Sequence, residues 1–233
     1  MGPQVGVTER TVRPAWYALR EGGWRDWVTI LHPPYTLWHL SYVAIGAGLA
    51  PRFHAERLVW AIVAFFLAMG VAAHAFDELH GRPLRTRISS TTLAVVAFVA
   101  LGGAIGVGIA AANAWGWWLL AFVAVGAVLV PAYNLELFGG VLHNDWGFAL
   151  AWGAFPALTG WFVEAQTIRF EALAVAVFAG ALSLAQRALS TPVRQARRTQ
   201  GTVAGTETIE RTLRTLTCAT VALAVAVVAA RLR

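Results

Sequence analysis

ISSTTLAVVAFVALGGAIGVGIAAANAWGWWLLAFVAVGAVLVPAYNL, residues 88–135, contains no charged side chain. About twenty apolar residues cross a bilayer as an α-helix, and a backbone facing lipid must satisfy its own hydrogen bonds. The stretch holds two such helices, broken near Asn113-Ala114-Trp115-Gly116. The same apolar density recurs at 35–50, 58–76, 146–163, 170–189 and 212–230. Together these segments predict an all-α, polytopic membrane bundle of about seven transmembrane helices. Whole-chain composition agrees: 58% apolar and 13% charged, against about 45–50% and about 25% in soluble domains.

All 18 basic residues are Arg, and the net charge is +6. In a soluble protein that balance suggests nucleic acid. In a membrane bundle it marks the cytoplasmic face, so no nucleic-acid partner is expected. Thirteen of the Arg fall on the N-terminus and the loops after the second, fourth and sixth spans, and five fall opposite. The positive-inside rule then gives a multi-pass protein of the cell (inner) membrane with a cytoplasmic N-terminus. Trp115, Trp117 and Trp118 fall at the opposite interface.

Residues 1–34 read as a separate cytoplasmic or interfacial segment. Glu9, Arg10, Arg13, Arg20, Glu21, Arg25 and Asp26 interrupt any signal-peptide run. Trp16, Tyr17, Trp24 and Trp27 interleave with those charges, as in a helix lying in the headgroup plane; a partly ordered tail is the alternative. Residues 35–233 form one transmembrane domain, with 190–211 as a cytoplasmic linker or lid. The single cysteine, Cys218, excludes an intrachain disulfide. The oligomeric state is left open by the sequence.

Ionisable groups near the membrane point to function. The first cluster is His74, Asp77, Glu78, His80 and Arg82, followed by Pro83-Leu84. On a helix His74, Asp77 and Glu78 share a face. Their carboxylates suit Mg²⁺ carrying a phosphate, and the imidazoles also admit Zn or Fe. The plainer reading is a polar helix end with an acid paired to Arg82. The second cluster is Tyr133, Asn134, Glu136, His143, Asn144 and Asp145, after the fourth span. His32 and His39 begin the first span on the same face. The third cluster is Gln186, Arg187, Arg194, Arg197 and Arg198. Arg187, Arg194 and Arg198 recur near helical spacing and could clamp a diphosphate, or simply set topology and contact anionic lipid. Gly102 and Gly106 read as a close helix-packing face, and Pro156 as a kink beside a cavity.

These segments resemble the UbiA superfamily of intramembrane prenyltransferases. The likeness runs from His32-Pro33-Pro34-Tyr35-Thr36-Leu37 through the acidic motif after the second helix, Arg82-Pro83-Leu84 and Arg87-Ile88-Ser89. It continues in Tyr133-Asn134-Leu135 and in Gly153, Pro156 and Gly160, covering roughly residues 30–190. The resemblance implies a helical bundle around a lipid-open cavity. Two Asp-rich motifs would hold Mg²⁺ and a prenyl diphosphate, whose isoprenoid passes to a lipid-soluble acceptor. Asp77 matches the middle Asp of the first motif, and His74-Ala75 stands where the family has Asn-Asp. The second motif is missing, since 183–200 contains no Asp or Glu, and Leu137 replaces a usual cation.

The implied assignment makes Asp77, Glu78, Tyr133 and Asn134 catalytic. His32, His39, Arg82, Arg187, Arg194 and Arg198 bind substrate. Metal ligands come from His74, Asp77, Glu78, His80, Glu136, His143 and Asp145. Two alternatives stand beside the transferase: a non-catalytic scaffold binding isoprenoid or other membrane lipid, and a His/carboxylate transition-metal enzyme.

Overall fold

A computed structural model describes residues 13–198 and 205–233. Within them the chain forms eight helices and no strand. Helix α1 is Trp24–Ile30 and α2 is Pro33–Leu49. Helix α3, Ala55–Gly81, carries a π-helical segment at Phe66–Ala73. Helices α4 and α5 are Ser90–Trp115 and Leu119–Asn134. Helix α6 spans 145–165, with π geometry at Ala149–Ala154. Helices α7 and α8 are Phe170–Arg198 and Thr206–Arg231. Each of the seven apolar segments read from the sequence is a helix. Four of them, α3, α4, α7 and α8, are long and apolar enough to cross a membrane.

Local chemistry sets the boundaries. Pro33 and Pro34 open α2, where a missing N–H costs nothing, and Pro51 follows its end. Ser89 Oγ accepts the Thr92 N–H at the start of α4, and Asn144 Oδ1 accepts the Gly147 N–H at the start of α6. Gly116, at φ 149°, ends α4 in a conformation that side chains disfavour. The expected linker 190–211 is largely helical: α7 runs on through Pro192 to Arg198, and α8 starts at Thr206. Glu9 and Arg10 lie outside the described residues. Trp24 and Trp27 project from the short α1, 65% and 42% exposed.

The tightest packing joins α2 to α6. A Cβ on Gly46 would stand 2.0 Å from the Ala157 carbonyl oxygen, and one on Gly160 2.1 Å from that of Val43. Two backbones meet there, as small residues allow in membrane bundles. The expected packing face at Gly102 and Gly106 is not used among the described residues. Nothing lies within 4 Å of a Cβ at either, because both point outward.

Candidate functional site

The ends of α2, α3, α5, α6 and α7 that carry the polar clusters enclose a cavity of about 450 Å³. His32, His39, His74, Asp77 and His80 line it from α2 and α3. Tyr133, Asn134, Glu136 and His143 line it from α5 and the turn that follows. Arg187 and Arg194 complete it from α7. Residues as far apart in sequence as His32 and Arg194 thus share one chamber. Met69 and Trp152 belong both to this chamber and to an apolar cleft of about 110 Å³ between α3, α4, α5 and α6.

Three of the expected site residues stand elsewhere or are differently engaged. Glu78 is fully buried and does not line the chamber. Its Oε2 accepts the Leu84 N–H at 2.9 Å, and its Oε1 accepts the Thr86 N–H at 2.7 Å and the Thr86 hydroxyl at 2.9 Å. The carboxylate ties down the loop after α3. Arg82 also serves that loop, donating to the carbonyl of Ile88 at 2.6 Å and to Ser90 Oγ at 2.8 Å. Left-handed φ values at Arg82 and Arg85, 49° and 55°, turn the chain back to make these contacts. Asp145 accepts from Arg187 Nε at 2.6 Å at the rim and is itself 72% exposed. The side chain of Arg198 lies outside the described residues.

Among the described residues no three His, Cys, Asp or Glu side chains come together as a metal-binding group. His80 Nε2 and His143 Nδ1 approach Glu136 Oε1 only to 4.0 and 3.9 Å. With Glu78 on the loop and Asp145 on Arg187, the carboxylates that line the chamber are Asp77 and Glu136.

Beside these carboxylates the chamber holds imidazole, phenol and guanidinium. The π segment of α3 turns the His74 N–H to the Val71 carbonyl. The Gly70 carbonyl instead accepts from His74 Nδ1 at 3.1 Å, which leaves Nε2 as the ring's acceptor. His32 stacks on His74 with centroids 4.2 Å apart, and Tyr17 Oη lies 2.5 Å from His32 Nδ1. Burial, then the neighbouring His74 and Arg194, holds the His32 pKa well below its ordinary value. Burial likewise raises that of Tyr17. Arg187 Nη1 donates to Tyr133 Oη at 2.5 Å, and Asn134 Nδ2 donates to the Val130 carbonyl at 2.7 Å.

Tyr17, Gln186 and Trp152 belong to the site without having been assigned to it from sequence. Tyr17 carried no motif. Gln186 belongs to the third cluster without a role of its own, and Trp152 lies four residues before Pro156. No family model, no curated protein and no solved structure matches the chain.

Proposed function

We propose that the chain is a UbiA-like protein of the cell membrane, crossing it seven times with the chamber at the cytoplasmic face. It takes up an isoprenoid diphosphate and transfers the prenyl group to a lipid-soluble acceptor. The single observation that supports this most is that the polar chamber and the apolar cleft lie side by side, with Met69 and Trp152 lining both. An amphiphile with a compact polar head and a long apolar chain matches that pair of spaces. Arg194 and Arg187 meet the anionic head at the rim, and the cleft takes the chain.

In the transfer, the allylic C–O bond breaks with both electrons leaving on the diphosphate. The acceptor's nucleophilic atom bonds to the carbon and releases a proton. Fixed cations stabilise a developing negative charge most where water is excluded. His74 Nε2 is a base within the chamber for the released proton. No step is assigned to a metal.

A second reading, lipid binding without transfer, is favoured by Glu78, whose carboxylate is taken up by Leu84 and Thr86. One experiment separates them. Purified protein in nanodiscs is titrated with geranylgeranyl diphosphate, with and without Mg²⁺, and released diphosphate is assayed after adding a membrane lipid extract. The transferase reading expects binding that Arg194→Ala weakens, and diphosphate release that needs the extract. Binding with no release supports the second reading. Absence of binding under all conditions refutes both.

A further inference from the structure

Helix α1 is amphipathic the wrong way round for a segment facing water. Its inner side buries Asp26 and Thr29, each 4% exposed, beside Ile30. Its outer side carries Trp24, Trp27 and Val28, which are 65%, 42% and 36% exposed. These three stand at i, i+3 and i+4, on one helix face. A helix of seven residues does not hold itself together in water, so the contacts of the inner side fix this face.

Those contacts also set the depth of α1. The Asp26 carboxylate accepts the Gly22 N–H at 2.8 Å through Oδ1 and the Arg87 N–H at 2.9 Å through Oδ2. Thr29 Oγ1 accepts the Leu19 N–H at 3.0 Å. Arg87 stands three residues before Ser90, where α4 begins, and α3 ends at Gly81. Both helices are long and apolar enough to cross a membrane. A loop joining two crossing helices lies at the bilayer surface, and Asp26 holds α1 against that loop. Trp side chains concentrate at this depth, where one side is apolar and the other wet.

Charge selects the kind of lipid. Arg20, Arg25, Arg85 and Arg87 are exposed, before α1, on it and on the loop that Asp26 grips. The carboxylate exposed beside them is Glu21, 3.6 Å from Arg87. The Arg25 guanidinium lies 5.6 Å from the Trp24 ring centre, so a cation and an apolar anchor share one place. A net positive patch at headgroup depth favours lipids of net negative charge. A second copy of the chain on this face would instead set guanidinium against guanidinium.

We propose that the outer face of α1, with the loop after α3, is a docking surface for the anionic phospholipids of the bilayer. Trp24, Trp27 and Val28 enter the boundary between headgroups and acyl chains. Arg20, Arg25 and Arg87 meet the lipid phosphates. The proposal stands whether the chamber transfers a group or only binds lipid.

The test reads which lipid touches α1. A fluorophore is attached at Val28→Cys in a Cys218→Ser background, since Cys218 is itself exposed. The protein is reconstituted in equimolar phosphatidylglycerol and phosphatidylcholine, with brominated chains on one lipid or on the other. Quenching should report a local enrichment of phosphatidylglycerol of about threefold or more, reduced by high salt. The same label at Trp118→Cys, just beyond the opposite end of α4 and 78% exposed, should be quenched equally by both lipids. Combining Arg20→Gln, Arg25→Gln and Arg87→Gln should remove most of the enrichment at α1 while thermal unfolding stays cooperative. Equal quenching at Val28→Cys without the Arg substitutions overturns the anionic preference. An enrichment that the triple variant keeps, or that Trp118→Cys shares, overturns it as well. Quenching by neither lipid overturns the docking surface: self-quenching of the label then identifies a second copy, and its absence leaves α1 in water.

Discussion

The two ends of the bundle use similar residues to opposite effect. At the far end, polar side chains close off helix termini. His54 N–H and Nδ1 both contact Glu164 Oε2, at 2.7 and 2.9 Å. Arg57 donates to the carbonyls of Val163 and Glu164, and Arg231 to that of Ala50. At the chamber end, His32, His39 and Gln186 line an open space, and each has one atom without a hydrogen-bond partner among the described residues, as Glu164 Oε1 has at the far end. A second set of carboxylates behind them carries the structural duty. Asp26 accepts the N–H groups of Gly22 and Arg87, and Glu78 holds Leu84 and Thr86. The difference teaches that burial of an ionisable group does not by itself mark function. Glu78 is fully buried and fully engaged by Leu84 and Thr86, while the chamber beside it is lined by other His, Tyr and Arg side chains.

The sharpest way to break this contrast is to remove the tied carboxylate at the chamber end. Glu78→Ala strands two buried N–H groups and a hydroxyl, and should cost about 3 kcal/mol or more. Thermal unfolding in detergent measures it. An unchanged transition would mean that Glu78 does not hold the loop and returns it to the list of ligand candidates. At the far end, Glu164→Ala leaves only the His54 donors unpaired, because Glu164 Oε1 has no partner to lose. The expected cost is smaller, about 1–2 kcal/mol. The reverse order of the two effects would contradict the division between ends.

How much of this could be read from the chain alone follows the range of the interactions. Helix positions are written locally, in apolar runs and in Pro33, Ser89 and Asn144, and all seven segments are helices. The chamber's membership was legible because the clusters fall on alternate ends of those helices. Glu78 was misplaced because helical spacing shows only that it shares a face with His74. Its true partners arrive through the left-handed turns at Arg82 and Arg85, which no periodicity encodes. The approach of α7 to α2, where Ser183 Oγ donates to Tyr42 Oη at 3.3 Å, joins residues 141 positions apart, which no local pattern encodes.

Titration sharpens the contrast further. His32 sits before α2, buried against Tyr17, His74 and Arg194. Its depressed pKa means that the unfolded chain binds the proton more readily. Its contribution to stability is therefore intact above about pH 6.5 and falls as pH drops below that value. The melting temperature of the wild type should decline between about pH 7.5 and about pH 5.5, and His32→Asn should flatten the decline. Asn tolerates the left-handed φ of 44° at this position. An identical slope in the variant would show that His32 does not carry the titration.

The smallest expected effect on stability belongs to the rim. Asp145 is 72% exposed and its bond to Arg187 is solvent-screened, so Asp145→Asn should shift stability by less than about 1 kcal/mol. Its effect on ligands should be larger in proportion. Arg187 already bonds Tyr133 Oη, and the Asp145 carboxylate competes with any anion for the remaining donors of that guanidinium. Removing the negative charge leaves the Tyr133 bond to hold Arg187 in place while freeing its Nε side. Inorganic diphosphate should then bind more tightly to Asp145→Asn than to the wild type, most visibly at low salt, where charge is least screened. Unchanged or weaker diphosphate binding by the variant would show that Asp145 does not compete with an anion for Arg187.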